Sequence, residues 1–119
     1  MTTTFDFGNG PVPAHRHTNP DGSLGGWVAD TATVSPTAWV SGNAKVYGNA
    51  WVFGNAKVYG NAEVFGTAWV YGTAGVFGNA KVYGNAEVFD TAWVFGDAQV
   101  SGSAYVSGGA EVSGDSVLT

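Results

Sequence analysis

Residues 43–60 read Asn43-Ala44-Lys45-Val46-Tyr47-Gly48, Asn49-Ala50-Trp51-Val52-Phe53-Gly54, Asn55-Ala56-Lys57-Val58-Tyr59-Gly60. This six-residue unit sets the phase of most of the chain. Val stands at 28, 34, 40, 46, 52, 58, 64, 70, 76, 82, 88, 94, 100, 106 and 112, and Leu118 takes the next place. Ala stands two residues before each Val from Ala32 to Ala110, and Ser116 is the divergent last member of that series. A period of six matches neither the 3.6-residue helix nor the coiled-coil heptad. It matches a short strand followed by a sharp turn. Alternation along a strand puts the Ala and Val of Ala-x-Val on one face, and both are small enough for a narrow interior. The residue between them and the residue after Val point outward. Gly followed by Asn or Thr, as in Gly48-Asn49, then supplies a turn that tolerates positive φ.

Three units close one triangular coil of 18 residues. The sequence therefore predicts an all-β solenoid of about five 18-residue coils over residues 28–119, whose stability comes from coil-on-coil stacking. At strand spacing of roughly 4.8 Å that stack is about 24 Å tall. Residues 1–27, with Pro11, Pro13, Pro20 and several Gly, read as an irregular N-terminal leader that caps the first coil. Little follows Leu118, so a barely covered lower edge is expected there.

Composition narrows the function classes. The absence of Cys removes a disulfide framework and any thiolate metal site. The first seven residues lack the basic and apolar regions of a signal peptide, and no apolar run approaches the roughly 20 residues that span a bilayer. A cytoplasmic protein is the default expectation. The net charge of −5 argues against phosphate-driven nucleic-acid binding. Aromatic residues (Phe 7, Tyr 5, Trp 5) outnumber the four basic and nine acidic residues, so the outer surface carries the information.

Outward residues 18 apart stack in columns. The position after Val gives Ala29, Tyr47, Phe65, Tyr83, Ser101 on face one; Ser35, Phe53, Tyr71, Phe89, Ser107 on face two; and Ser41, Tyr59, Phe77, Phe95, Ser113 on face three. All three faces thus carry aromatic ladders in the middle coils. Such ladders read either as cross-strand stacking or as exposed apolar surface for a partner. The position between Ala and Val separates the faces. Face one has Trp27, Lys45, Glu63, Lys81, Gln99, whose alternating signs predict a solvated, salt-bridged face. Face two has Thr33, Trp51, Trp69, Glu87, Tyr105, and face three has Trp39, Lys57, Gly75, Trp93, Glu111. The Trp-rich faces two and three are expected to meet in a homo-oligomer, since Trp and Tyr concentrate at interface hot spots. Trp51 and Trp69 against Trp39 and Trp93 are the candidate contacts, beside the ladders Phe53, Tyr71, Phe89 and Tyr59, Phe77, Phe95. Gly75 has no side chain in its column, which either admits a partner's ring or reflects drift within a repeat.

The Ala-x-Val-x-Gly-Asn pattern over 28–118 resembles the hexapeptide-repeat superfamily of left-handed β-helices. It also resembles bacterial and phage proteins with Asn-Ala-x-Val-x-Gly repeats and a similar leader, here Val12-Pro13-Ala14-His15-Arg16-His17 followed by Gly25-Gly26-Trp27-Val28-Ala29-Asp30-Thr31-Ala32. The resemblance implies a single-chain left-handed parallel β-helix, a homotrimer as the usual assembly, and a phage or prophage origin, with a virion-associated location in that case. It supplies no activity of its own.

Many members of the superfamily are acyltransferases, and some are zinc-dependent carbonic anhydrases; those activities need a positioned general base or three His on a metal. The repeats here contain no His and no loop interrupts the period, so the sequence predicts no enzyme. An acyltransferase-like enzyme remains an alternative reading, and a phage-encoded inhibitor that binds a host protein is another. His15 and His17 lie at i and i+2, on one side of an extended segment. Imidazoles of that kind can bind a transition metal at a trimer axis. The blander reading is that His15, Arg16 and His17 pack the leader onto the first coil. Ice binding needs one continuous Thr column, which Thr31, Thr37, Thr67, Thr73 and Thr91 do not make. Mimicry of a nucleic-acid duplex needs ordered acidic columns, and Glu63, Glu87, Asp90, Asp97, Glu111 and Asp115 are scattered. Carbohydrate stacking on the aromatic columns stays open.

Overall fold

In the computed structural model, which describes residues 3–119, a two-residue strand recurs at every Ala-x-Val unit from Thr33–Val34 to Val117–Leu118. No helix occurs among the described residues. Every pairing between coils is parallel and offset by 18 residues: Lys45 pairs with Glu63, Trp51 with Trp69, Lys57 with Gly75. The chain is therefore a three-faced parallel β-solenoid of about five turns. Face two stacks five strands from Thr33–Val34 to Tyr105–Val106, and face three stacks five from Trp39–Val40 to Glu111–Val112. Face one holds eight, because the leader adds to it.

Small side chains make the interior possible. Each Val from Val40 to Val100 and each Ala from Ala50 to Ala98 is fully buried, and together they form one continuous core. Burying a Val contributes roughly 1.5 kcal/mol or more, so a column of identical residues yields an even, additive core rather than one central nucleus. The corners are tight. At most corners the amide of the Ala before the strand is donated back across the turn, as from Ala44 to the Ser41 carbonyl at 3.2 Å. The Gly in between has positive φ: at Gly72 it is 70°, and a Cβ there would stand 3.0 Å from the Asp90 backbone nitrogen one coil below. Asp90 itself takes that conformation with a φ of 59°, and its carboxylate accepts the Gly108 amide at 3.0 Å. That bond offsets part of the cost of a left-handed residue bearing a Cβ.

The leader caps the stack with more order than its Pro and Gly content suggests. It forms β1 (Thr4–Asp6), β2 (Pro11–Thr18) and β3 (Leu24–Ala29), paired antiparallel, and β3 then pairs in parallel with Lys45–Val46. The Pro residues are compatible with this because Pro11 and Pro13 lie on β2 opposite the three-residue β1, near the outer edge of the sheet, where a missing donor costs little. Ala29 is expected outside from its place in the repeat. It is buried because Ala14 of β2 lies over it.

Candidate functional site

The strands of faces two and three hold the surface that the sequence singles out. On face two, Trp51 and Trp69 are 44 % and 41 % exposed and their rings lie 5.9 Å apart. Trp51 meets Phe53 edge-on, and Trp69 meets both Phe53 and Tyr71 edge-on. On face three, Trp93 is 48 % exposed and stands edge-on to Phe77. Trp39 is half-buried. Tyr105, which belongs to the face-two column but is absent from the candidate contacts, is the most exposed aromatic at 66 %. These indoles are braced by the ladder beneath them, so each presents a fixed plane to solvent.

The ladders themselves are half-buried stacks. Phe53, Tyr71 and Phe89 follow one another at 4.8 and 5.0 Å, with ring planes within 4° of parallel. Tyr59, Phe77 and Phe95 stack likewise at 4.8 and 5.0 Å, with ring planes within 6° of parallel and Tyr59 at the exposed end. The third ladder, Tyr47, Phe65, Tyr83, extends into the leader: Phe7 stacks on Tyr47 at 4.8 Å and fills the slot that Ala29 leaves empty. Phe5 likewise stacks on Trp27, with the Lys45 ammonium 5.8 Å from its ring centre. Stacking at the strand spacing serves the fold, which places these rings between the two readings: they stabilise the coils and also floor the Trp surface.

Tyrosine hydroxyls add a rule that the column reading misses. Tyr47 donates to Glu63 at 2.7 Å, Tyr71 to Glu87 at 2.8 Å, and Tyr83 to Gln99 at 3.0 Å. In each case the acceptor is 16 residues later, on the same face of the next coil. Burial raises the Tyr47 phenol well above its ordinary range, and the Glu63 carboxylate raises it further. The same causes, with Glu87 as the carboxylate, push Tyr71 up to about 12. Tyr59 is the exception, because the residue 16 positions later is Gly75. An open notch of about 270 Å³ lies there, lined by Lys57, Tyr59, Thr73, Gly75 and Trp93 among others.

Face one differs from its expectation. Glu63 stands in register between Lys45 and Lys81, yet the only ion pair within 4.0 Å among the described residues is His15 with Asp30. The Tyr47 hydroxyl takes the Glu63 carboxylate instead, while holding a Lys chain against it would cost rotamer freedom for little Coulomb gain. Polar ladders also run along the corners. Asn43 donates to Asn61, Asn61 to Asn79, and Asn79 to Asp97, at 3.2 to 3.3 Å. Thr67, Thr73 and Thr91 spend their hydroxyls on turn carbonyls of the next coil. The signal for both was present as residues 17 and 18 apart.

The leader histidines do not sit together on one side. A bulge falls between Arg16 and Thr18 and changes the alternation at His17. His15 is more than half exposed and its Nδ1 lies 2.8 Å from Asp30. His17 is 6 % exposed and donates from Nε2 to the Ala38 carbonyl at 2.7 Å. Burial lowers its pKa; the Ala38 carbonyl opposes that, and nearby His15 adds to the lowering. Beside it, buried Asn19 accepts the Val40 amide at 2.9 Å, and Arg16 donates from Nε to Gly25 O. The His-Arg-His segment thus packs the leader onto the first coil. No group of three or more His, Asp or Glu side chains placed to hold a metal occurs among the described residues.

Fold and surface together define a three-faced β-solenoid whose well-exposed indoles, Trp51, Trp69 and Trp93, lie on two of its faces. No family model, no curated protein and no solved structure matches the chain.

Proposed function

We propose that this chain is a non-enzymatic structural or binding module that assembles with copies of itself through faces two and three. The observation that carries this reading is the division of the surface. Trp51, Trp69, Trp93 and Tyr105 are each at least two-fifths exposed, and all lie on those two faces. Face one shows Lys, Glu and Gln at the same positions. Contact of face two with face three of the next copy is heterologous and closes into a ring when the rotation allows. The resemblance to hexapeptide-repeat proteins suggests three copies, and the resemblance of the leader suggests a phage or prophage source.

Light scattering behind size exclusion, over a dilution series, tests the reading. A mass of three chains is expected. Trp51→Ser or Trp93→Ser is expected to weaken assembly at least tenfold, which corresponds to about 1.4 kcal/mol. A monomer at every concentration refutes self-assembly. It would favour the other binding role, in which the free aromatic surface serves capture of a host protein and the same substitutions leave the mass unchanged.

A further inference from the structure

Resting on that self-assembly, we infer that the seam between copies is in register, coil against equal coil, with Trp69 of one copy seated in the Gly75 notch of the next. Copies related by rotation about an axis parallel to the solenoid meet at equal height. Height therefore dictates which outward residues face each other. Coil by coil, Thr33 meets Trp39, Trp51 meets Lys57, Trp69 meets Gly75, Glu87 meets Trp93, and Tyr105 meets Glu111.

Three of these pairs are complementary. The notch is the one place in the face-three column where no side chain projects, and it faces the large, exposed indole of Trp69. Its floor is prepared for a ring: Gly75 is buried, and Trp93 and Phe77 lean to within 3.7 and 3.8 Å of where a Cβ would stand. Tyr59 at its rim has no carboxylate or amide 16 residues on, unlike Tyr47, Tyr71 and Tyr83, so its hydroxyl is not held in one direction and can turn its oxygen to accept from the indole N–H. Lys57 forms no ion pair within 4.0 Å among the described residues, and in register its ammonium lies over the face of Trp51, a cation–π arrangement. Tyr105, exposed, can donate to Glu111. The alternatives with the same axis fare worse. Face three against itself opposes Lys57 to Lys57 and Glu111 to Glu111, and face two against itself opposes Glu87 to Glu87.

Two variants test the register. The chain has no Cys, so any disulfide comes from an introduced pair. Tyr105→Cys with Glu111→Cys in one chain is expected to give chain-to-chain disulfides on mild oxidation. Thr33→Cys with Glu111→Cys, a pair four coils apart that meets only when the copies are out of register, is expected to give none. Independently, Gly75→Gln fills the notch; the corresponding position of the other coils carries Trp, Lys or Glu, so the fold is retained by circular dichroism. Assembly is expected to weaken tenfold or more. An oligomer that cross-links through 33 and 111, or that is indifferent to Gly75→Gln, overturns the in-register seam and leaves self-assembly standing. A wild-type monomer overturns both.

Discussion

Gly25→Ala changes one hydrogen for a methyl group, yet it should unlatch the leader. A Cβ on Gly25 would stand 1.7 Å from the Val40 carbonyl oxygen and 2.8 Å from the Asn19 side-chain nitrogen. The nearer obstacle is backbone of the first coil, so no rotamer relieves the clash and β3 must retreat. Retreat breaks what the leader holds against that coil: the Asn19 bond to the Val40 amide at 2.9 Å and the His17 bond to the Ala38 carbonyl at 2.7 Å. Each buried hydrogen bond so lost costs on the order of 1–2 kcal/mol, because the exposed partners are only partly rehydrated. The total is about 2–4 kcal/mol, which by mass action raises the open population by roughly 30- to 1,000-fold. Native-state hydrogen exchange read by mass spectrometry checks it. Peptides covering residues 14–29 and the Val40 amide should lose protection by that factor, while those covering residues 62–82 keep theirs. Gly109→Ala is the control, since nothing lies within 4 Å of its missing Cβ and its φ is not positive. Unchanged protection of the leader in Gly25→Ala would refute the close approach and with it the latch.

Other outcomes follow from the same geometry. Val64→Ala, at a fully buried position, should cost about 2–3 kcal/mol by urea titration, from lost transfer energy plus a cavity; Val112→Ala, at the less enclosed end of its column, should cost half of that or less. Tyr47→Phe removes a part-buried hydrogen bond and should cost about 1 kcal/mol, whereas Tyr59→Phe, with no in-chain acceptor, should stay within about 0.5 kcal/mol in the same titration. His17 is held below the ordinary histidine pKa, so its contribution is present above about pH 6.5 and is lost as pH falls from there through the depressed value, because the unfolded or unlatched leader then binds the proton first. The protection factor of the leader, which is exchange corrected for its intrinsic slowing with acid, should therefore fall as pH drops below about 6.5, and His17→Gln should flatten that dependence.

The solenoid was legible because its determinants are one-dimensional. Val every six residues and Ala two before it need no knowledge of long-range contacts, and the period alone says that residues 18 apart are neighbours. The same arithmetic gave the columns Trp51–Trp69 and Tyr59–Phe77 correctly. It was silent where the chain leaves the period. Nothing local marks Gly25 as pressed on a carbonyl, since a Gly in a Pro- and Gly-containing leader reads as a turn. Nothing local marks a bulge at His17, so strict alternation gave the wrong relation between the two histidines. The Tyr-to-Glu bonds lie between. Their spacing of 16 was in the sequence, but a column reading compares equivalent positions at 18 and skips the diagonal neighbour. The absence of salt bridges on face one follows from that diagonal, because the Tyr47 hydroxyl holds the Glu63 carboxylate that alternation of sign alone assigns to Lys45 and Lys81.

That diagonal also bears on what the outer surface can do. In this fold an outward residue has two partners in the next coil, the one directly below and the one two positions back. A change at one site therefore alters the chemistry of another 16 residues earlier. Position 75 is the instance: as Gly it removes a ladder side chain and at the same time leaves the Tyr59 hydroxyl without an acceptor, so one residue creates both a hole and a polar rim. A Glu there would close the hole and satisfy Tyr59 together, giving a face with the Tyr-to-Glu pairing seen at Tyr71 and Glu87. Gly75→Glu should thus stabilise the single chain slightly while weakening its assembly. Drift in a repeat gives no reason for those two effects to oppose each other, whereas a position shaped for a partner's ring requires that they do.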